Sequence, residues 1–429
     1  MKTKSVFIVV GLIFGFIASG GATNGYFTHG FGTQYKAMAG AGSALSLNAF
    51  APATNPAGLA YVGKRVDVAF SIFNPNRQYT VTGNPSMNPG TFGLAPGTVE
   101  SDSKIFLVPS LGASFSLPGG HNFGLVVYGN GGMNTNYPAK TFGFEPTGVN
   151  LMQLFVGATY AREIIPNHAI GFTGIFSFQQ FKAEGLKAFG DFSSDATKLS
   201  DNDNSSSTGF GFRVGYQGKL LPILTVGASY QSKISMSKFE EYAGLFAEQG
   251  KFDIPATWNV GVAVHATPLI TVALDMQQIM YSDIKAVANP MDLTANSPML
   301  PDGSPNPNFK PLGHEDGWGF GWEDMTVYKL GVQWKAIPGL TFRAGYSLTE
   351  QPIPESEVMF NILAPGVIEN HATFGFSKTL LPTLQLHFAL TRAFSNSVTG
   401  ANPMEVPGQQ QIELKMDQWD VEVGLSFSL

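Results

Sequence analysis

Three features predict that this chain folds as an all-β, transmembrane antiparallel β-barrel of about 14 strands, with an N-terminal plug (hatch) in the lumen. Apolar and polar residues alternate with a period of two in segment after segment. Short proline-containing turns alternate with long polar loops. After an export-type leader, no apolar run approaches the ~20 residues of a transmembrane helix. Charged residues make up only 13% of the chain, while glycine reaches 50 and phenylalanine 35. An exported, charge-poor chain without helical spans has one other way across a bilayer: the closed barrel, whose strands satisfy one another's backbone groups.

Taken in order, Lys2 and Lys4 precede an apolar run over residues 6–17, and Ala18, Ser19, Gly20, Gly21 and Ala22 follow. This is the layout of a secretory signal peptide, residues 1–22, with cleavage expected after Ala22 and Gly20 as the second choice. An uncleaved anchor is the alternative. Residues 23–62 show no strand alternation. They are small, glycine-rich and charge-poor, and too short to fold easily alone. They read as a plug inside the lumen or, alternatively, as a flexible periplasmic extension; a fourteen-stranded lumen is wide enough to need filling.

Residues 63–429 carry the barrel pattern. Val66, Val68, Phe70 and Ile72 alternate with Arg65, Asp67, Ala69 and Ser71. Similar sets begin at Leu340, at Leu384 and at Trp419, the last running through Val421, Val423, Leu425 and Phe427 to Leu429. Period two places one set toward lipid and the other toward the lumen. A soluble sandwich alternates too, so the turns decide. Pro118, Pro166, Pro222, Pro268, Pro338 and Pro382 each lie between two strand-like runs. Longer polar stretches occupy residues 74–103, 133–148, 183–206, 237–251, 285–323, 351–367 and 396–411. Short turns at one end and long loops at the other are the asymmetry of outer-membrane barrels. Strands near 64–73 and 412–429 complete the even count, which leaves both termini periplasmic. Tyr128, Tyr160, Tyr230, Trp258, Trp334, Tyr346 and Trp419 fall near strand ends, as expected of aromatic belts.

Several functional classes drop out. A net charge of −6 gives no basic footprint for nucleic acid. With no cysteine there is no disulfide, thiolate metal site or thiol nucleophile. Gly-x-Ser-x-Gly and His-Glu-x-x-His are missing, and the glycine runs at 129–132 and 209–215 do not form a P-loop. Asp201-Asn202-Asp203-Asn204 offers oxygen ligands but reads as a solvated loop, and His29, His265, His314 and His387 lack ligand spacing. Neither enzyme, cofactor nor metal is expected.

Asn24-Gly25-Tyr26-Phe27, Gly30-Phe31-Gly32, Ala39-Gly40-Ala41-Gly42 and Asn55-Pro56-Ala57 together resemble the hatch of the FadL/TodX family. These are outer-membrane transporters of long-chain fatty acids and aromatic hydrocarbons. Strand count, loop layout and the stretch 255–262 are also similar to that family. The resemblance implies a route. Ligand is caught between extracellular loops, passes to an apolar lumen site, and leaves sideways through a gap beside a kinked third strand. Phe27, Phe31, Asn55, Pro56 and Ala57 would belong to the hatch.

For capture, Leu186, Phe189 and Phe192 fall near helical spacing in one loop, as do Phe239, Tyr242, Leu245 and Phe246 in another. Such residues either cover one another or line a groove; the resemblance favours the groove. The third strand, near 122–132, ends in glycines that weaken pairing. Gly129, Gly131 and Gly132 therefore mark either a lateral gate or a glycine-rich strand end. Arg213, Lys329, Arg343 and Arg392 fall on polar strand faces. They would bind a ligand carboxylate or pair with lumen acids such as Glu422.

The expected function is passive uptake of hydrophobic small molecules, with a general diffusion porin as the alternative. An outer-membrane enzyme and a phage receptor or adhesin are weaker readings. Expected partners are the hydrophobic substrate, outer-membrane lipid and, during biogenesis, the barrel-assembly machinery, with the chain a monomer in a Gram-negative outer membrane.

Overall fold

Alternating residues satisfy their backbone groups by pairing laterally, and here they do so in one continuous antiparallel sheet. The computed structural model describes residues 24–143, 145–293, 297–300 and 302–429, so the expected leader, residues 1–22, lies outside the described residues. Among the described residues fourteen strands form the wall: β1 (Arg65–Thr82), β2 (Phe106–Leu117), β3 (His121–Tyr137), β4 (Thr147–Ile165), β5 (His168–Glu184), β6 (Ser205–Leu221), β7 (Leu224–Gln231), β8 (Thr257–Val264), β9 (Ile270–Ile279), β10 (Met325–Ile337), β11 (Leu340–Thr349), β12 (Asn370–Leu381), β13 (Leu384–Ala401) and β14 (Gln411–Ser428). Two short pieces, Gly97–Glu100 and Ser235–Met236, lie against β1 and β6. β14 closes the ring on β1, from Arg65 opposite Ser428 to Thr82 opposite Gln411. All six proline turns join neighbouring strands, as the sequence predicts.

The strands run further toward the long-loop end than the alternation suggests: β1 reaches Thr82, β3 Tyr137 and β13 Ala401. The reason is visible on β1. Val66, Val68, Phe70 and Ile72 face outward in its lower half, but Asn74, Asn76, Gln78 and Thr80 take that face above, while Phe73, Tyr79 and Val81 turn inward. β14 inverts likewise. Val421, Val423 and Phe427 point out below Trp419; above it Ile412, Leu414 and Met416 point in. Lipid requires apolar atoms outside and water requires polar ones, so the inversion marks the outer membrane boundary. Above it, the wall encloses an apolar chamber.

Residues 24–62 lie inside this ring and are buried almost throughout. Lys36, on the short helix Thr33–Lys36, reaches Asp420 at 2.6 Å and Glu422 at 2.8 Å on the inner face of β14. Gly42 N and Ser43 N each donate to Asp275 Oδ2 at 2.8 Å. Asn55 caps the 3-10 helix Pro56–Tyr61 by accepting from Ala57 N at 3.1 Å, and its amide donates to Ser43 O and Tyr216 O. The wall meets this segment with glycine: a Cβ on Gly215 would lie 2.0 Å from Asn55 Oδ1, and one on Gly227 1.8 Å from Ser43 O.

Two expectations need correction. Tyr128 is not a belt residue: it faces inward, with its ring 4.5 Å from that of Phe31. The loop stretches expected to be amphipathic helices are short turns instead, Lys187–Phe192 and Glu240–Tyr242 being 3-10 and Ala247–Gly250 containing positive φ at Glu248 and Gln249.

Candidate functional site

A break in the wall is the feature from which the site is built. β2 and β3 pair only from Leu111 opposite Val127 down to Leu117 opposite His121. Above that, β2 stays with β1, while β3 follows β4 and carries an extra residue, Asn130, between Gly129 and Gly131. The edges meet again further out, where Asp102 N donates to Asn136 O at 2.8 Å and Asn136 N to Ser101 Oγ at 3.0 Å. The result is a window whose β3 edge lacks its wall partner.

Unpaired strand edges attract another strand, and here the hatch supplies it. Thr28 N donates to Asn130 O and Gly132 N to Tyr26 O, both at 3.0 Å. Glycine is required for this approach, since a Cβ on Gly131 would sit 1.7 Å from Tyr26 O. Val108 of β2 faces this edge from the other side of the window, where its Cγ1 would stand 3.2 Å from a Cβ on Gly129.

Above the window two series of aromatic rings descend from the loops. In the first, Phe181 meets Phe239, Tyr242 and Phe246 at centroid distances of 5.6, 4.8 and 4.6 Å; Phe246 then meets Phe252 at 5.0 Å, and Phe252 meets Tyr26 at 6.0 Å. In the second, Phe189 touches Trp318 and Phe360, Phe360 meets Phe320 at 5.3 Å, and Phe320 meets Trp322 at 6.2 Å. Tyr26 and Trp322 are 5.9 Å apart, so both series converge beside the window. Trp322 is fixed there by donating from Nε1 to Asn361 Oδ1 at 2.6 Å. Burial pushes the Tyr242 phenol up to about 12, keeping it a neutral donor to Asn202 O at 3.0 Å.

All seven capture candidates therefore take part in one apolar roof: Leu186, Phe189, Phe239, Tyr242, Leu245 and Phe246 are buried and Phe192 is half-buried. They cover one another rather than flank an open groove. Sequence reasoning missed Trp318, Phe320 and Trp322, although Gly317-Trp318-Gly319-Phe320-Gly321-Trp322, with glycine at every second position inside a long loop, was a readable signal.

The four cations separate. Arg213 and Lys329 line one polar chamber with His29, Asn130 and Gln277. Arg213 Nη1 donates to Pro52 O at 2.8 Å and Lys329 Nζ to His29 O at 3.2 Å. Arg343 is held elsewhere, by Gln333 at 2.9 Å and Ser377 at 2.6 Å. Arg392 is a correction. Its register partner is Trp419, and both face outward, the guanidinium 4.8 Å from the indole centroid and paired with Asp417. The alternation places position 392 with Leu386, Phe388 and Leu390, just beyond the lipid boundary. Glu422, expected to pair with a wall cation, pairs with Lys36 of the hatch.

A family model described as outer membrane protein transport protein (OMPP1/FadL/TodX) matches residues 16–427. The chain is similar to the crystal structure of the Pseudomonas putida toluene transporter TodX, with a TM-score of 0.67 at 17% identity over 94% of this chain and 99% of that one. A Pseudomonas aeruginosa FadL homologue gives a TM-score of 0.68 at 14% identity over 94% and 99%. The Ralstonia pickettii toluene transporter TbuX gives 0.62 at 16% over the same shares. At these identities the structural likeness is one of fold. No curated protein sequence matches.

Proposed function

This chain belongs to the outer membrane protein transport family (OMPP1/FadL/TodX), and from that premise we propose that it passes hydrophobic small molecules from the loop roof to the window between β2 and β3 and releases them sideways into the outer membrane. The observation that carries this is the convergence of two aromatic series on Tyr26 and Trp322, beside that window. Buried aromatic surface recognises apolar solutes by shape and area. A diffusion porin keeps an open polar lumen; here residues 24–62 pack within it. Ligand displaces the roof residues Phe189, Phe192, Phe239, Tyr242, Leu245 and Phe246 from one another, and an acidic ligand has Arg213 and Lys329 for its carboxylate, both bound among the described residues to neutral acceptors.

The chain has no cysteine, which allows a direct test. A Val108→Cys, Gly129→Cys pair brings two thiols to opposite edges of the window at a separation compatible with a disulfide. Oxidation is expected to cut uptake of labelled toluene or oleate several-fold, and reduction to restore it. Unchanged uptake with the bridge formed would rule out the lateral route.

A further inference from the structure

Arg77 is a buried lumen cation placed on the β2 side of the window. It is 6% exposed, and no carboxylate among the described residues lies within ion-pairing distance. Nη2 donates to Ser103 O at 2.6 Å and the guanidinium lies 5.5 Å from the centroid of Phe106, both belonging to the β2 side of the window. Nε has no hydrogen-bond partner among the described residues. Across the same cavity stand Gly132, Asn134 and Thr135 of β3, with Trp322 and Met416, and Asn134 Oδ1 is also unsatisfied.

A guanidinium stays charged in protein, and burying it without a counter-charge is costly. A fold that retains one with Nε unpaired points to a ligand that supplies the missing acceptor. Depth says which kind. The outward face of β1 changes from Ile72 to Asn74 at the membrane boundary, so Arg77 sits on the watery side, near the level of the outer headgroups. A molecule that puts its tail through the window into hydrocarbon leaves its polar end at this height.

We infer that Arg77 is a carboxylate-binding residue of the window, receiving the head of an amphipathic monocarboxylic acid while its chain enters the bilayer between β2 and β3. The site is separate from the chamber of Arg213 and Lys329, and it assumes the lateral route proposed above. A neutral hydrocarbon makes no use of it.

The test compares oleate with oleyl alcohol, which has the same chain without the charge, binding to the purified mature protein in non-ionic micelles. A charge-assisted hydrogen bond in a dry site corresponds to roughly tenfold or more in affinity. Arg77→Met is expected to lower the oleate-to-alcohol preference about tenfold, and Arg77→Lys to retain most of it. A folded Arg77→Met protein with the wild-type preference overturns the inference and leaves the uptake reading standing. Failure of the wild type to bind either ligand overturns both. Should Arg77→Met fail to fold, stearate carrying a nitroxide at carbon 5 or carbon 16 reads the wild type directly. The Trp322-dependent fluorescence, obtained by difference from Trp322→Phe, is expected to be quenched more by the carbon-5 label; equal or reversed quenching overturns the inference.

Discussion

Gly131 is a residue at which a single methyl group decides geometry. A side chain there collides with Tyr26 O, so Gly131→Val unseats the hatch from the window edge. Uptake is expected to fall several-fold while the heat-modifiable folded band on a gel keeps its intensity; equal loss of both would make the glycine structural only. Lys36→Met has the opposite signature. It leaves Asp420 and Glu422 buried together without their cation, a loss of about 3–5 kcal/mol that would lower the unfolding midpoint in denaturant. These two positions were not equally legible. Glycine inside a strand announces a bulge or a close approach, so 129–132 could be read directly. Lys36 lies in a segment without periodicity, and its partners are hundreds of residues away. Arg392 failed for a different reason: strand parity, continued two residues past Leu390, puts it outside.

Elements were readable where lipid imposes a rule. The six proline turns and the lower halves of the strands alternate because one face meets hydrocarbon and the other polar lumen groups. Above Asn74 and Trp419 the rule reverses, and the upper halves of β1, β3 and β13 resembled loops. The loop aromatics had no rule at all, since their packing partners come from several separate loops, a strand and the N-terminal segment. The hatch is the element with the clearest test. Deleting residues 23–57 removes its contacts with Asp67, Asp275 and the window but breaks no strand ladder. The product is expected to insert as a folded barrel and to admit small polar solutes that the full chain excludes. An unfolded product would contradict the plug reading.

For the whole molecule, the decisive property is that the wall is apolar outside below the boundary and apolar inside above it. That inversion puts an aromatic chamber over the membrane and a window beside it, an arrangement for moving hydrophobic solutes rather than ions or sugars. On the proposed route, which solutes enter depends on the roof, whose residues came from the least periodic parts of the sequence. Uptake by a Gram-negative host lacking its own fatty-acid transporter tests the central claim most directly, with labelled oleate, labelled toluene and a small sugar compared with and without this protein. Faster entry of oleate or toluene without the sugar is the predicted result. Sugar entry alone would mean an open diffusion pore, and would contradict both the hatch-filled lumen and the lateral route.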